Sequence, residues 1–129
     1  MAALALFSAL GCQAPLEPSD PVWGKQACEG CRMLVSDPRF TAQLVGSDGE
    51  RRYFDDLGCL AEHLAAHPNP NASIWVRDAR GRWLSARAAR FSTGAATPMD
   101  YGLVTDPRGE LDFAAMQRAA LSRKARVAP

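Results

Sequence analysis

The segment ACEGCRM, residues 27–33, brings three sulfur atoms close together in sequence. Cys28 and Cys31 have the Cys-x-x-Cys spacing that lets two thiolates bind one metal ion, and Met33 adds a thioether. The same spacing occurs in redox pairs and in disulfides. A redox pair needs its first cysteine at a helix N-terminus, whereas the run that starts at Met33 favours a strand. Metal binding is therefore the stronger prediction.

Cys59 and His63 form a second pair of candidate ligands. They are four residues apart in a segment with helical patterning, so both side chains lie on one side of the predicted helix, and His67 follows one turn later. Together with Cys28 and Cys31, the pair makes a three-cysteine, one-histidine set that is typical of structural zinc. For each histidine alone, a solvated place on the helix surface is the more common arrangement.

Met99, in the segment ATPMDYG, is a third candidate ligand. A lone methionine more often fills a core than binds a metal. A mixture of thiolate and thioether donors, however, favours Cu(I), because zinc rarely accepts methionine. Motifs of hydrolases, nucleotide-binding proteins and zinc proteases are not found, and Asp55 and Asp56 are better placed to cap a helix than to catalyse. We expect no enzymatic activity.

Composition indicates one soluble domain without a nucleic-acid partner. The chain has 129 residues, of which 47% are hydrophobic, and 15 Lys and Arg nearly balance 14 Asp and Glu. A length of this order can bury a sizeable core. The near-zero net charge gives no basis for binding nucleic acid.

The first 22 residues suggest export. Residues 1–11 are apolar and stop at Cys12, a pattern similar to the signal peptide of a bacterial lipoprotein, with Cys12 as the lipidated residue. Residues 12–22 are rich in proline and predict a tether, which leaves residues 23–129 as the domain. A buried N-terminal segment is the alternative.

Lipidation of Cys12 would leave an odd number of cysteines, namely Cys28, Cys31 and Cys59. At least one thiol would then stay unpaired in an oxidising compartment. A bound metal ion would occupy it. A disulfide between Cys28 and Cys31 without metal is a further alternative.

The remaining pattern predicts an α+β fold. It contains a hairpin over residues 39–54, a helix over 55–67, a second hairpin over 73–86, a strand over 99–105 and a closing helix over 110–123 that buries Leu111 and Met116. A hairpin followed by a helix thus occurs twice, in two small ββαβ-like halves, which suggests a structural duplication. The sheets should be small, and mixed or antiparallel.

Three segments in this order, CEGCRM, FDDLGCL and TPMDYG, resemble the NosL family of copper-binding lipoproteins, accessory proteins of nitrous-oxide reductase. The resemblance covers roughly residues 23–121. It implies two ββαβ-like halves, with Cys28, Cys31, Met33, Cys59 and Met99 at the positions of the family's motif residues. The chain departs from the family pattern at three positions: Arg32 and Asp100 replace glycine, and Leu60 replaces methionine.

The resemblance also implies a function and a location. We expect a periplasmic, lipid-anchored metallochaperone, with the outer membrane as the favoured site, that binds Cu(I) and delivers it for assembly of the copper–sulfide centre of nitrous-oxide reductase. The predicted ligands are Met99 with one or more of the three cysteines, and Met33 or His63 as accessory donors. Alternatives are delivery to another periplasmic copper enzyme, general copper buffering, and a structural zinc module that binds a protein partner.

Overall fold

The computed structural model of the chain describes residues 16–127. The predicted signal peptide and the predicted lipidation site Cys12 lie outside these residues. In chain order the elements are β1 (Ala42–Val45), β2 (Arg51–Phe54), α1 (Leu57–Ala66), β3 (Ser73–Arg77), β4 (Trp83–Ser85), β5 (Phe91–Ser92), β6 (Val104–Thr105) and α2 (Phe113–Val127), with a 3₁₀ turn at Pro38–Phe40 before β1. No helix within residues 16–127 is long and apolar enough to cross a membrane.

Both predicted hairpins form, and they join into one antiparallel sheet of order β2-β1-β3-β4. Ala42 of β1 lies opposite Phe54 on one side and Val76 on the other. A second, two-stranded sheet pairs β5 with β6. The α+β class and the small antiparallel sheets are confirmed. Because β1 pairs with β3, the two hairpins share one sheet, and the duplication stays a prediction.

Helix α1 begins and ends where its capping residues predict. The carboxylate of Asp56 accepts a hydrogen bond from the backbone N–H of Gly58 at 2.9 Å, and His67 and Pro68 follow the last turn. The helix packs against β1 and β2 through its apolar side. Its buried side chains include Leu57, Leu60 and Leu64, which recur at helical spacing.

The strand predicted over residues 99–105 is much shorter. Only Val104 and Thr105 pair with β5, because the preceding residues form a tight turn. In this turn Asp100 and Gly102 have φ angles of 60° and 76°, which extended strands do not adopt. The backbone N–H of Asp100 donates to the carbonyl of Thr97 at 3.0 Å.

The closing helix also starts later than predicted. Asp112 caps it by accepting a hydrogen bond from the N–H of Ala115 at 2.8 Å, so α2 begins at Phe113. Leu111 therefore lies before the helix and bridges Phe91 through two backbone hydrogen bonds of 2.9 and 3.0 Å. Met116 is fully buried, as predicted.

Residues 16–23 cover the face of the large sheet opposite α1. The side chain of Gln43 exchanges two hydrogen bonds with the backbone of Ser19, at 3.0 and 3.1 Å, and the hydroxyl of Tyr53 donates to the carbonyl of Ser19. Trp75 donates through its indole N–H to the carbonyl of Leu16 at 3.0 Å. The second half of the predicted tether is therefore docked on the domain, because polar groups on this face supply its partners.

Arg77 fixes this segment at its end. Its guanidinium lies 5.1 Å from the ring centres of both Trp23 and Trp83, and it pairs with the carboxylate of Asp20 at 2.7 Å. The indole N–H of Trp83 donates to the same carboxylate oxygen at 2.9 Å. Stacking and ion pairing together tie residues 20–23 to β3 and β4.

Candidate metal centre

Three cysteine side chains meet in one group. The sulfur atoms of Cys28, Cys31 and Cys59 all lie within 4.8 Å of one another. Cys28 is fully buried and Cys59 is 4% exposed, whereas Cys31 is only partly buried. Three thiols at these distances could hold a metal ion, and Cys31 gives the group its contact with solvent.

The loop that carries Cys28 and Cys31 closes on itself. The N–H of Cys28 donates to the carbonyl of Met33 at 2.7 Å, and the N–H of Arg32 donates to the carbonyl of Cys28 at 3.0 Å. Beyond Met33 there is a single β-bridge, between Ala27 and Leu34, rather than the strand that the sequence favours. Cys28 therefore lies in a tight loop and not at a helix N-terminus.

This loop lies against the first turn of α1, which supplies the third thiol. Glu29 donates through its backbone N–H to the carbonyl of Tyr53 at 2.8 Å, at the edge of β2. Gly30 allows the close approach, because a methyl group on it would lie 3.0 Å from the Cβ atom of Cys59. Cys59 is the third residue of α1, so its position follows from the cap at Asp56.

The segment TPMDYG closes on the same turn of α1 from another side. The second carboxylate oxygen of Asp56 accepts a hydrogen bond from the N–H of Met99 at 2.9 Å. The ring of Tyr101 packs on Gly58, where a methyl group would overlap the ring, and its hydroxyl donates to Glu62. Asp56 therefore fixes the start of the helix that bears Cys59 and the backbone of Met99 at once.

Hydrogen bonding makes the three thiols unequal. The thiol of Cys59 donates to the sulfur of Cys28, and this bond, with weaker ones from the backbone N–H groups of Cys31, Asp55 and Gly30, lowers the pKa of Cys28 to about 5. The pKa of Cys59 is raised, first because its proton is held by Cys28 and then by burial. Burial also raises the pKa of Cys31. These shifts favour ionisation of Cys28 over ionisation of Cys31 and Cys59 in the metal-free protein.

The other predicted ligands occupy different places. His63 does not belong to the group of donor atoms within 4.8 Å, so the structure does not assemble the predicted three-cysteine, one-histidine set. Its ring packs instead on Phe54, at 5.2 Å between ring centres, and on His67 at 4.8 Å. Helical spacing places His63 on the same side as Cys59, but Gly30 of the cysteine loop packs on Cys59 in the first turn, and His63 lies one turn further along the helix.

Met33 and Met99 flank the cluster on its two loops. Their side chains are 55% and 37% exposed, respectively, so neither one fills the core. Met33 lies at the base of the cysteine loop, and Met99 is tied to the cap of α1 through Asp56. Both methionines are therefore exposed on loops that contact the first turn of α1.

The sequence analysis missed the residues that support the cluster. Asp56 was recognised only as one of two helix caps, and Gly30, Gly58 and Tyr101 were not singled out. Gly58 carried a usable signal: a glycine inside a helical pattern lowers stability by about 1 kcal/mol relative to alanine and usually has a packing reason. Gly30, which precedes Cys31, and Gly58, which precedes Cys59, both mark close approaches.

Two residues of the cluster loops have left-handed backbone conformations. Arg32 has a φ angle of 67° and Asp100 one of 60°, and they are the two non-glycine residues with positive φ within residues 16–127. Both follow a candidate ligand, Cys31 and Met99. This region of φ favours glycine, because a Cβ atom is crowded there.

Comparison with family models, with curated proteins and with solved structures found no match to this chain. The resemblance to the NosL family therefore rests on the three sequence segments themselves.

Proposed function

We propose that this protein is a Cu(I)-binding metallochaperone of the bacterial cell envelope. The observation that carries the proposal is the group of three cysteine sulfurs within 4.8 Å, with the exposed thioethers of Met33 and Met99 on the loops around it. Thiolates and thioethers are the donors that Cu(I) prefers.

The composition of the group favours copper over structural zinc. A closed zinc site takes four ligands from cysteine, histidine or carboxylate side chains, and the three-cysteine group contains no histidine. Cu(I) is satisfied by fewer, softer donors. We therefore retain Cys28, Cys31, Cys59 and Met99 as ligands and Met33 as an accessory donor.

Backbone conformation supports the likeness to the NosL family. At positions 32 and 100 the family pattern has glycine, and the backbone at Arg32 and Asp100 adopts the conformation in which glycine is favoured. A shared backbone path at both loops would explain this. On this basis we propose that the recipient is apo nitrous-oxide reductase, and that a lipid on Cys12 holds the chain on the periplasmic side of the outer membrane.

The unequal burial of the thiols suggests the order of ligand exchange. Donors of a partner can approach Cu(I) beside Cys31 and the methionines, because these groups reach the surface. Cys28 and Cys59 are buried and would release the ion last. When the metal leaves, Cys59 can take up a proton again and donate its hydrogen bond to the sulfur of Cys28, because the pKa of Cys59 is raised and that of Cys28 is lowered.

Competition for Cu(I) tests the proposal. The reduced full chain is titrated with Cu(I) against a chromophoric chelator, with Zn(II) in parallel. Met99→Leu should weaken Cu(I) binding by about tenfold or more, equivalent to about 1.4 kcal/mol. Met116→Leu is the matched control, because Met116 is fully buried in the core, where a volume-conserving change costs less than about 1.5 kcal/mol and leaves the cluster intact.

Two results would contradict the proposal. Tight retention of zinc, with unfolding when zinc is removed, would establish a structural zinc module. Equal Cu(I) affinity in the Met99→Leu variant would remove the thioether from the site. Transfer from the loaded chain to apo nitrous-oxide reductase then separates a chaperone from a copper buffer, which would retain its copper.

A further inference from the structure

His63 and His67 lie side by side at the end of α1. Their ring centres are 4.8 Å apart, and they are the two histidines of the whole chain. The N–H of His67 still donates to the carbonyl of His63 at 2.7 Å, so the last helical turn keeps both side chains on one side. His63 is half-buried against Phe54, and His67 is exposed.

A cleft of about 280 Å³ opens beside the two imidazoles. Glu29 and Arg52 also line the cleft and form an ion pair of 3.5 Å. Arg52 pairs as well with Glu50 at 3.0 Å, outside the cleft lining. Because the carboxylate of Glu29 offsets the guanidinium of Arg52, the cleft beside the imidazoles carries no net positive charge that would repel a cation.

The ring nitrogens of both imidazoles are available to a ligand. In the part of the chain that the structure describes, the rings contact Phe54 and each other, without a hydrogen bond to either ring. Burial lowers the pKa of His63, which keeps its ring neutral and able to donate a lone pair.

We propose that His63 and His67 form a second metal site, separate from the cysteine group, which binds a borderline divalent cation such as Zn(II). Two imidazoles four residues apart on one side of a helix can share one ion, and imidazole suits Zn(II), Ni(II) and Cu(II). The carboxylate of Glu29 lines the same cleft, in its ion pair with Arg52. The inference does not depend on which metal the cysteines bind.

Co(II) and Zn(II) titrations of the reduced full chain test this site. Co(II) bound by thiolate gives an intense near-ultraviolet charge-transfer band, whereas Co(II) bound by imidazoles gives only weak visible bands. We expect the wild type to bind Co(II) with weak visible bands and no charge-transfer band. This binding should disappear in His63→Gln and in His67→Gln. With Zn(II), the ring NMR signals of both histidines, which are the only ones in the chain, should shift together.

Glu62→Gln is the control, because it changes charge on α1 but its partners are Tyr101 and Lys124, away from the cleft. The Glu62→Gln variant should still bind Co(II) without the charge-transfer band. A shift of the His63 signal that accompanies the charge-transfer band and spares His67 would assign His63 to the cysteine group and overturn the proposal. Unshifted histidine signals at saturating Zn(II) would overturn it too. His67 is exposed, so His67→Gln should fold normally, and Cu(I) competition on the same variant tests the cysteine group separately.

Discussion

Cys28 is the residue on which the cluster's chemistry depends most. Its sulfur accepts hydrogen bonds from the thiol of Cys59 and from backbone N–H groups, which lower the pKa of Cys28 to about 5. A free cysteine has a pKa of about 8.5, and binding a metal to it at neutral pH releases a proton. The lowered pKa makes that proton easier to release at Cys28, which favours metal binding at neutral and mildly acidic pH.

The lowered pKa of Cys28 predicts that its thiolate forms at low pH. In the metal-free reduced chain, the ultraviolet absorbance of thiolate should rise around pH 5 as Cys28 ionises, well below the range of ordinary cysteines. Cys59→Ala should move this step to higher pH, because it removes the donor that stabilises the thiolate. Cys31→Ser is the comparison variant and should keep a step well below the ordinary range. A wild-type curve without a step below neutral pH would contradict the prediction.

Arg32 should tolerate glycine better than a branched residue. At a φ angle of 67°, a β-branched side chain adds about 1–3 kcal/mol of strain, whereas glycine adopts this conformation freely. Urea unfolding should therefore show Arg32→Val clearly destabilised and Arg32→Gly equal to or more stable than the wild type. Exposed Arg80, which does not have a positive φ angle, is the control position. There the glycine variant should not be more stable than the valine variant. A more stable Arg32→Val variant would show that the loop conformation is different.

The element that organises the site is the first turn of α1. Both loops that carry candidate ligands close on it, one at Gly30 and the other at Asp56 and Gly58. The sequence predicted this helix correctly and limited its cap to Asp55 or Asp56, because helical periodicity and capping are local. Spacing alone could not show that the cysteine loop brings its thiols to Cys59 and not to His63, and it therefore grouped His63 with the cysteines. Contact between distant segments depends on close approaches that spacing does not encode.

Asp56→Ala should weaken both the fold and the metal site. Asp56 is fully buried, and its loss would leave the N–H groups of Gly58 and Met99 without their acceptor. We expect about 2 kcal/mol lower stability, from the lost cap and the unsatisfied N–H of Met99. Urea unfolding measures the first effect and Cu(I) competition the second.

Asp112→Ala is the matched control for this variant. Asp112 caps α2 in the same manner, and its carboxylate accepts its hydrogen bond from Ala115 within α2, whereas Asp56 also binds the loop of Met99. It should lower stability by about 1 kcal/mol and leave Cu(I) affinity unchanged. Equal loss of Cu(I) affinity in both variants would mean that the effect of Asp56 is only general destabilisation.

At the scale of the whole molecule, the large sheet lies between two layers. α1 covers one face, and residues 16–23 cover the other. Proline content indicated a tether, and composition alone could not show that Gln43, Tyr53 and Trp75 would bind its backbone. Gln43 is a buried polar residue in the middle of a strand, and the segment supplies the hydrogen-bond partners of its side-chain amide.

Asp20→Asn should loosen this layer without unfolding the domain. The substitution removes the charge that pairs with Arg77, and because Asp20 is more than half exposed we expect a loss of only about 1 kcal/mol. Hydrogen exchange should rise in residues 16–23 and stay unchanged in α1. Glu17→Gln serves as the control, since only the backbone carbonyl of Glu17 forms a hydrogen bond, to Arg51. Unchanged exchange in Asp20→Asn would show that the aromatic stacking of Arg77 suffices.

The docked segment also limits how far the domain can travel. Four peptide units separate Leu16 from Cys12, and a fully extended chain of that length spans at most about 14 Å. With a lipid on Cys12, the domain would therefore stay within about that distance of the bilayer. Such a protein could diffuse along the membrane but could not leave its surface, so any recipient of its metal would have to come to the membrane.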